Sequence, residues 1–156
     1  MMPEQFQPEN ILFLDTKKNV IIDGNFTKLI YSDANAVLNA IYLSFPIQRL
    51  TMNPSLNFVS FAMTAPYNVA LIKNMARIEH DILKLYQAYC GIAKQVCSSL
   101  WTQLSKGHFK VYHTQQVHHT PPQENSRYIL KISGVWETHH QVGITFKFIR
   151  GTRVPF

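Results

Sequence analysis

The last third of this chain interleaves five cationic side chains, Lys110, Arg127, Lys131, Lys147 and Arg150, with Tyr112, Tyr128 and Trp136. Lysine and arginine neutralise phosphates and flat rings accept unstacked bases, so the mixture suits a single-stranded nucleic acid. Charge is divided sharply along the sequence. Up to Asp81, six Lys/Arg stand against seven Asp/Glu, a net of −1; from Ile82 onward, nine stand against Glu124 and Glu137 alone, a net of +7. Six of the seven histidines fall in the same cationic half. The competing reading of each ring is ordinary β-core, because aromatic side chains carry large apolar areas that folding buries.

Other chemistries fit less well. His118-His119 and His139-His140 place a pair of imidazoles in each of two loops, a donor set that could in principle gather zinc. Adjacent residues on an extended backbone point apart, however, and neither Cys-x-x-Cys nor His-Glu-x-x-His occurs, so no metal or other cofactor is expected. A nuclease needs clustered acids to hold divalent ions, and only two acids follow Asp81. Glu79-His80-Asp81 is an acid–imidazole run, but consecutive helical residues fan out by about 100° each and do not converge. There is no phosphate-cradling glycine loop and no nucleophile elbow. The sequence therefore reads as non-catalytic.

Length and composition set the frame. With 156 residues, 46% of them hydrophobic, the chain can build one domain with a substantial core. Residues 1–10 are polar and proline-bearing and read as a flexible segment, with a single domain over 11–156. No apolar run approaches the eighteen or so residues that cross a bilayer, and no secretory leader is evident, so no membrane partner and an intracellular location are expected. Cys90 and Cys97 sit seven apart in an apparent helix, which separates their Cα atoms by about 10 Å, beyond disulfide reach.

The elements that must position these groups come in three blocks. Ile11–Leu14, Asn19–Ile22, Phe26–Tyr31 and Val37–Phe45 are β-branched and aromatic runs separated by turn residues, Asp23-Gly24-Asn25 among them, and Leu56–Met63 is a further strand. From about Asn68 to Ser105 the period changes. Leu71, Met75, Ile78, Ile82, Leu85, Tyr89, Ile92 and Val96 recur at steps of four and three, one face of a helix that Gly91 would kink or divide and that Lys106-Gly107 would end. That face could pack on the protein's own sheet or, being nearly heptad, on a second copy.

His108–Tyr112 reads as a strand and 113–126 as a polar loop. A long hairpin over 127–137 and 141–150 follows. Period two places Leu130, Ile132, Gly134 and Trp136 on one face, with Lys131, Ser133 and Val135 on the other; Val142, Ile144, Phe146 and Phe148 form the matching apolar face. The face carrying Lys131 and Lys147 is the one a phosphate backbone could meet. Gly134 and Gly143 are sites for a bulge or bend. This order predicts an α+β fold, mainly antiparallel β, with an OB-like barrel and a long helix inserted before the last strands.

The stretches Leu130-Lys-Ile-Ser-Gly-Val-Trp-Glu137 and Val142-Gly-Ile-Thr-Phe-Lys-Phe148, with Asn25–Ser32 and Leu38–Leu43 upstream, resemble small single-strand DNA-binding proteins encoded by large DNA viruses. The resemblance covers about a third of the chain and contains no catalytic signature. It implies binding of single strands in replication or recombination, in the host nucleus or a cytoplasmic virus factory. The C-terminal Arg150-Gly-Thr-Arg-Val-Pro-Phe156 departs from the acidic tail many such proteins carry. A second reading, from another class, is a viral structural or assembly protein that self-associates through the 71–96 stripe.

Overall fold

The computed structural model describes residues 1–19, 23–50, 57–113 and 126–152. The 20–22 part of the expected second strand, the 51–56 connection, His118, His119, Glu124 and the 153–156 terminus lie outside these residues. Among the described residues nine strands form: β1 (Ile11–Asn19), β2 (Gly24–Ser32), β3 (Val37–Leu38), β4 (Ile41–Ser44), β5 (Phe58–Ser60), β6 (Gln95–Val96), β7 (His108–His113), β8 (Ser126–Thr138) and β9 (Gln141–Thr152). Helix α1 (Pro66–Cys90) follows β5, and the short α2 (Ser99–Leu104) lies between β6 and β7. The protein is α+β.

Strand order is β1-β2-β8-β9-β7-β5, with β3 on β2, β4 on β8 and β6 on β9. The long β8–β9 hairpin is the spine. The N-terminal half of β8 pairs with β4 and its C-terminal half with β2, while β9 takes β6 at one end and β7 at the other. Most ladders are antiparallel, but β6 and β7 both run parallel to β9, so the sheet is mixed. Among the described residues no ladder joins β1 to β5, and the expected barrel closure is not seen.

Helix α1 crosses one face of this sheet. Leu71, Ile72, Met75, Ile78, Ile82, Leu83 and Tyr86 are buried there with Leu29, Ile41, Leu43, Leu130, Ile132, Val135 and Phe148. The apolar stripe holds as expected as far as Ile82 and then drifts, because 3.6 residues per turn carries the buried line to Leu83 and Tyr86 and leaves Tyr89 outside. From Leu71 to Ile82 the stripe is thus packed inside the domain and is not open to a second copy. Gly91 stops the helix: it caps α1 in the left-handed region at φ 66°, where glycine carries no Cβ penalty. Cys97 falls beyond the helix on the way to α2, and both cysteines are free. Among the described residues no helix is long and apolar enough to cross a membrane.

Glu79 shows why a carboxylate is buried in α1. Its oxygens accept the backbone N–H groups of Leu100 at 2.8 Å and Trp101 at 3.1 Å, satisfying the orphan donors at the start of α2. Burial pushes its carboxyl above the ordinary value, and these two hydrogen bonds pull part of the way back. Replacing Glu79 with alanine is expected to destabilise the fold by about 1–3 kcal/mol in urea unfolding, because a buried and a partly buried donor lose their acceptor.

The 1–10 segment, expected to be flexible, folds as two 3-10 turns, Pro3–Gln5 and Pro8–Asn10, laid against the sheet. Ser44 donates its N–H to the Met1 carbonyl at 2.8 Å, and Phe6 stacks on Tyr31 with centroids 5.9 Å apart. These contacts supply the order that the polar composition conceals.

Candidate nucleic-acid interface

The face opposite α1 gathers the cations and rings. Alternation along β9 turns Val142, Ile144, Phe146, Phe148 and Arg150 toward the helix, leaving Thr145, Lys147 and Ile149 outward. In β8 the alternation is broken once. Ile132 pairs with Phe146 but Gly134 pairs with Thr145, so Ser133 is an extra residue that shifts every side chain after it to the other face. Val135 is therefore core and Trp136 points outward, the reverse of what period two predicts for both.

Trp136 then lies flat because its cross-strand neighbour is Gly143. A Cβ at Gly143 would stand 2.3 Å from Trp136 Cζ2, and one at Gly134 would stand 2.6 Å from Phe26 Cζ. The two glycines leave the floor on which these rings lie, an arrangement of aromatics covering glycine on a sheet. Phe26 and Trp136 are partners in the β2–β8 ladder. They form one end of an aromatic platform.

Lysines and tyrosines form the other end. Tyr42, Lys131 and Lys147 follow one another across β4, β8 and β9. Lys131 Nζ stands 5.8 Å from the Tyr42 ring, and Lys110 and Lys147 Nζ stand 5.2 and 5.8 Å from the Tyr112 ring, within cation–π range. Lys110, Tyr112 and Lys147 are exposed, and Arg127 is exposed near the open end of β8. From Lys131 to Trp136 is roughly 13 Å along the sheet, the bulge at Ser133 taking up one residue, room for about four nucleotides at the stacked spacing.

The structure brings together Lys110, Tyr112, Lys131, Trp136 and Lys147, with Arg127 at the margin. It places two of the sequence-selected residues elsewhere. Tyr128 is 7% exposed on the helix-facing side, where its hydroxyl accepts from Arg49 Nη1 at 3.0 Å and its ring meets Phe109 edge-on. Arg150, also 7% exposed, pairs with Tyr128 across the ladder, and burial lowers its pKa from the ordinary guanidinium value. Both are structural. Phe26, Lys28 and Tyr42 belong to the outward face and were missed. Their parity was visible, since Phe26, Lys28 and Ile30 alternate with Thr27 and Leu29, but nothing local says that β2 and β4 flank β8.

The acids fall into structural roles. Glu137, on the helix side, takes the Tyr86 hydroxyl at 2.9 Å and forms an ion pair with Lys94, which also donates to the Thr138 carbonyl at 2.9 Å. Burial opposes ionisation of Glu137, but Lys94 and Tyr86 outweigh it and its pKa falls below the usual value. A depressed carboxylate pKa stabilises the fold above the unfolded value and is lost as pH falls through the folded one. Thermal stability is therefore expected to drop on acidification below about pH 4.5. Glu137→Gln should remove that part of the pH dependence. Glu79, shifted the other way, gives no loss over the same range.

Among the described residues no three His, Cys, Asp or Glu side chains converge as metal ligands. The His139 and His140 rings meet edge-to-face with centroids 4.5 Å apart. Comparison with family models, curated proteins and solved structures finds no match to this chain.

Proposed function

We propose that this protein is a non-catalytic single-stranded nucleic-acid-binding protein that lays DNA across the outward face of its sheet. One observation carries the reading: the outward face of the β4–β8–β9–β7 region joins Lys110, Lys131 and Lys147 to Tyr42, Tyr112 and Trp136 without a carboxylate among its strand residues. Lysines meet phosphates while Trp136 and Phe26 offer π-faces to bases, and duplex DNA, with its bases stacked away, would use only the lysines. The mode is that of an OB-like sheet presenting its face to a strand. The resemblance to viral single-strand binders points to replication or recombination intermediates as the setting.

The test is fluorescence polarisation of labelled oligothymidylate, about 30 nucleotides long, at two salt concentrations with duplex DNA as competitor. Salt-sensitive binding that duplex fails to displace is the expected result. Absence of binding at low salt would remove the proposal.

A further inference from the structure

One cavity beside the β1–β2 ladder carries an exposed carboxylate, Asp15. Of all the described strand residues only Asp15 and Glu137 are acidic, and Glu137 is turned to the helix side against Tyr86 and Lys94. Asp15 is exposed, and among the described residues the Lys94–Glu137 contact is the single ion pair, so Asp15 is not neutralised by a lysine. A bare carboxylate beside a phosphate-binding face opposes binding unless it meets a donor.

Local backbone geometry brings it there. In the β1–β2 ladder Phe13 pairs with Leu29 and Thr16 with Thr27, so Leu14 and Asp15 together stand opposite the single Lys28. Such a bulge re-aims a side chain. Phe13, Leu14, Asp15, Lys17, Phe26 and Lys28 line one cavity of about 480 Å³, a size that admits a small ligand. Its wall of Phe13, Leu14 and Phe26 is apolar, and Lys17 and Lys28 also line it, the Lys28 ammonium donating to the Asn39 carbonyl at 2.9 Å.

We infer that this cavity is the base-selective end of the strand-binding face and takes a guanine. The inference rests on the proposed single-strand binding. Guanine alone among the four DNA bases presents two adjacent donors, N1–H and the exocyclic N2 amine, on its Watson–Crick edge, which a carboxylate accepts bidentately. The base lies against Phe26 and Leu14, Asp15 takes its edge, and Lys17 with Lys28 holds the flanking phosphate. Cytosine and adenine offer one exocyclic amine each on that edge, and thymine offers only N3–H. The same cluster also blunts the exposed β1 edge against pairing with another chain, a role that needs charge and the bulge but no base.

The experiment measures affinities of the intact protein for labelled 12-mers of thymidine carrying one central dG, dA, dC or deoxyinosine, for wild type and Asp15→Asn. The expected result is about tenfold tighter binding with dG than with dT alone, with inosine between them, because it keeps N1–H and lacks the amine. Asp15→Asn should abolish the dG preference while binding the all-thymidine strand at least as well. All-thymidine binding with no dG preference, or a preference that survives Asp15→Asn, overturns this inference and leaves the sheet-face reading standing. Failure to bind any of the strands overturns both.

Discussion

Replacing Lys110, Lys131 and Lys147 together by glutamine is expected to weaken oligothymidylate binding by about a hundredfold at low salt, taking about 1 kcal/mol for each exposed charge contact. The salt dependence should change with it. Each phosphate contact on a single strand contributes a slope of about −0.7 in log K against log salt, so the triple variant should lose about 2 from the slope. Stability should be nearly untouched, because none of the three makes an ion pair among the described residues and their ring contacts lie on the outward face. Arg150 provides the contrast. It carries the same charge and was selected by the same reasoning, yet it is buried beside Tyr128, so Arg150→Gln should act on stability first. A triple variant with unchanged slope would place the phosphates on another surface.

Trp136→Ala is the second large effect. Base stacking on an aromatic side chain is worth about 1–3 kcal/mol, a loss of between about fivefold and more than a hundredfold in affinity. Trp136→Phe should recover much of it, since a flat ring is retained. Gly143→Val reaches the same site without touching the indole: its new Cβ would stand 2.3 Å from Trp136 Cζ2, so the ring must leave the sheet. The affinity loss of Gly143→Val should approach that of Trp136→Ala. In a Trp101→Phe background, Trp136 fluorescence should fall on titration with oligothymidylate. Trp101 itself sits on α2, away from the proposed path.

How far these residues could be placed from sequence depends on the range of the interaction that fixes them. The α1 stripe from Leu71 to Ile82 was legible because helical periodicity is local; Gly91 was read as a kink or division of a helix running to Lys106-Gly107, whereas its αL cap ends α1 there. The period that put Leu130 and Phe148 in the core also puts Tyr128 and Arg150 there; their polar tips drew them to the surface reading, whereas the Tyr128 hydroxyl finds Arg49 inside and Arg150 lies beside Tyr128. Trp136 was selected as a stacking ring, but its outward orientation was illegible for a different reason. A single extra residue at Ser133 inverts the faces beyond it, and a bulge is decided by the partner strand. Phe26 and Tyr42 required knowing that β2 and β4 both pair with β8, a long-range fact that alternation within each strand does not contain. The parallel pairing of β6 and β7 with β9, which makes the sheet mixed, is long-range in the same sense.

The most direct test of the central claim is photocrosslinking of an iodouridine-substituted oligothymidylate to the intact protein, followed by peptide mapping. Crosslinks at Trp136, Phe26, Tyr42 or Tyr112 are predicted, because these rings share the outward face and stand where bases would stack. Crosslinks confined to Tyr67, Tyr89 or Trp101, all exposed on the helical side, would contradict the account.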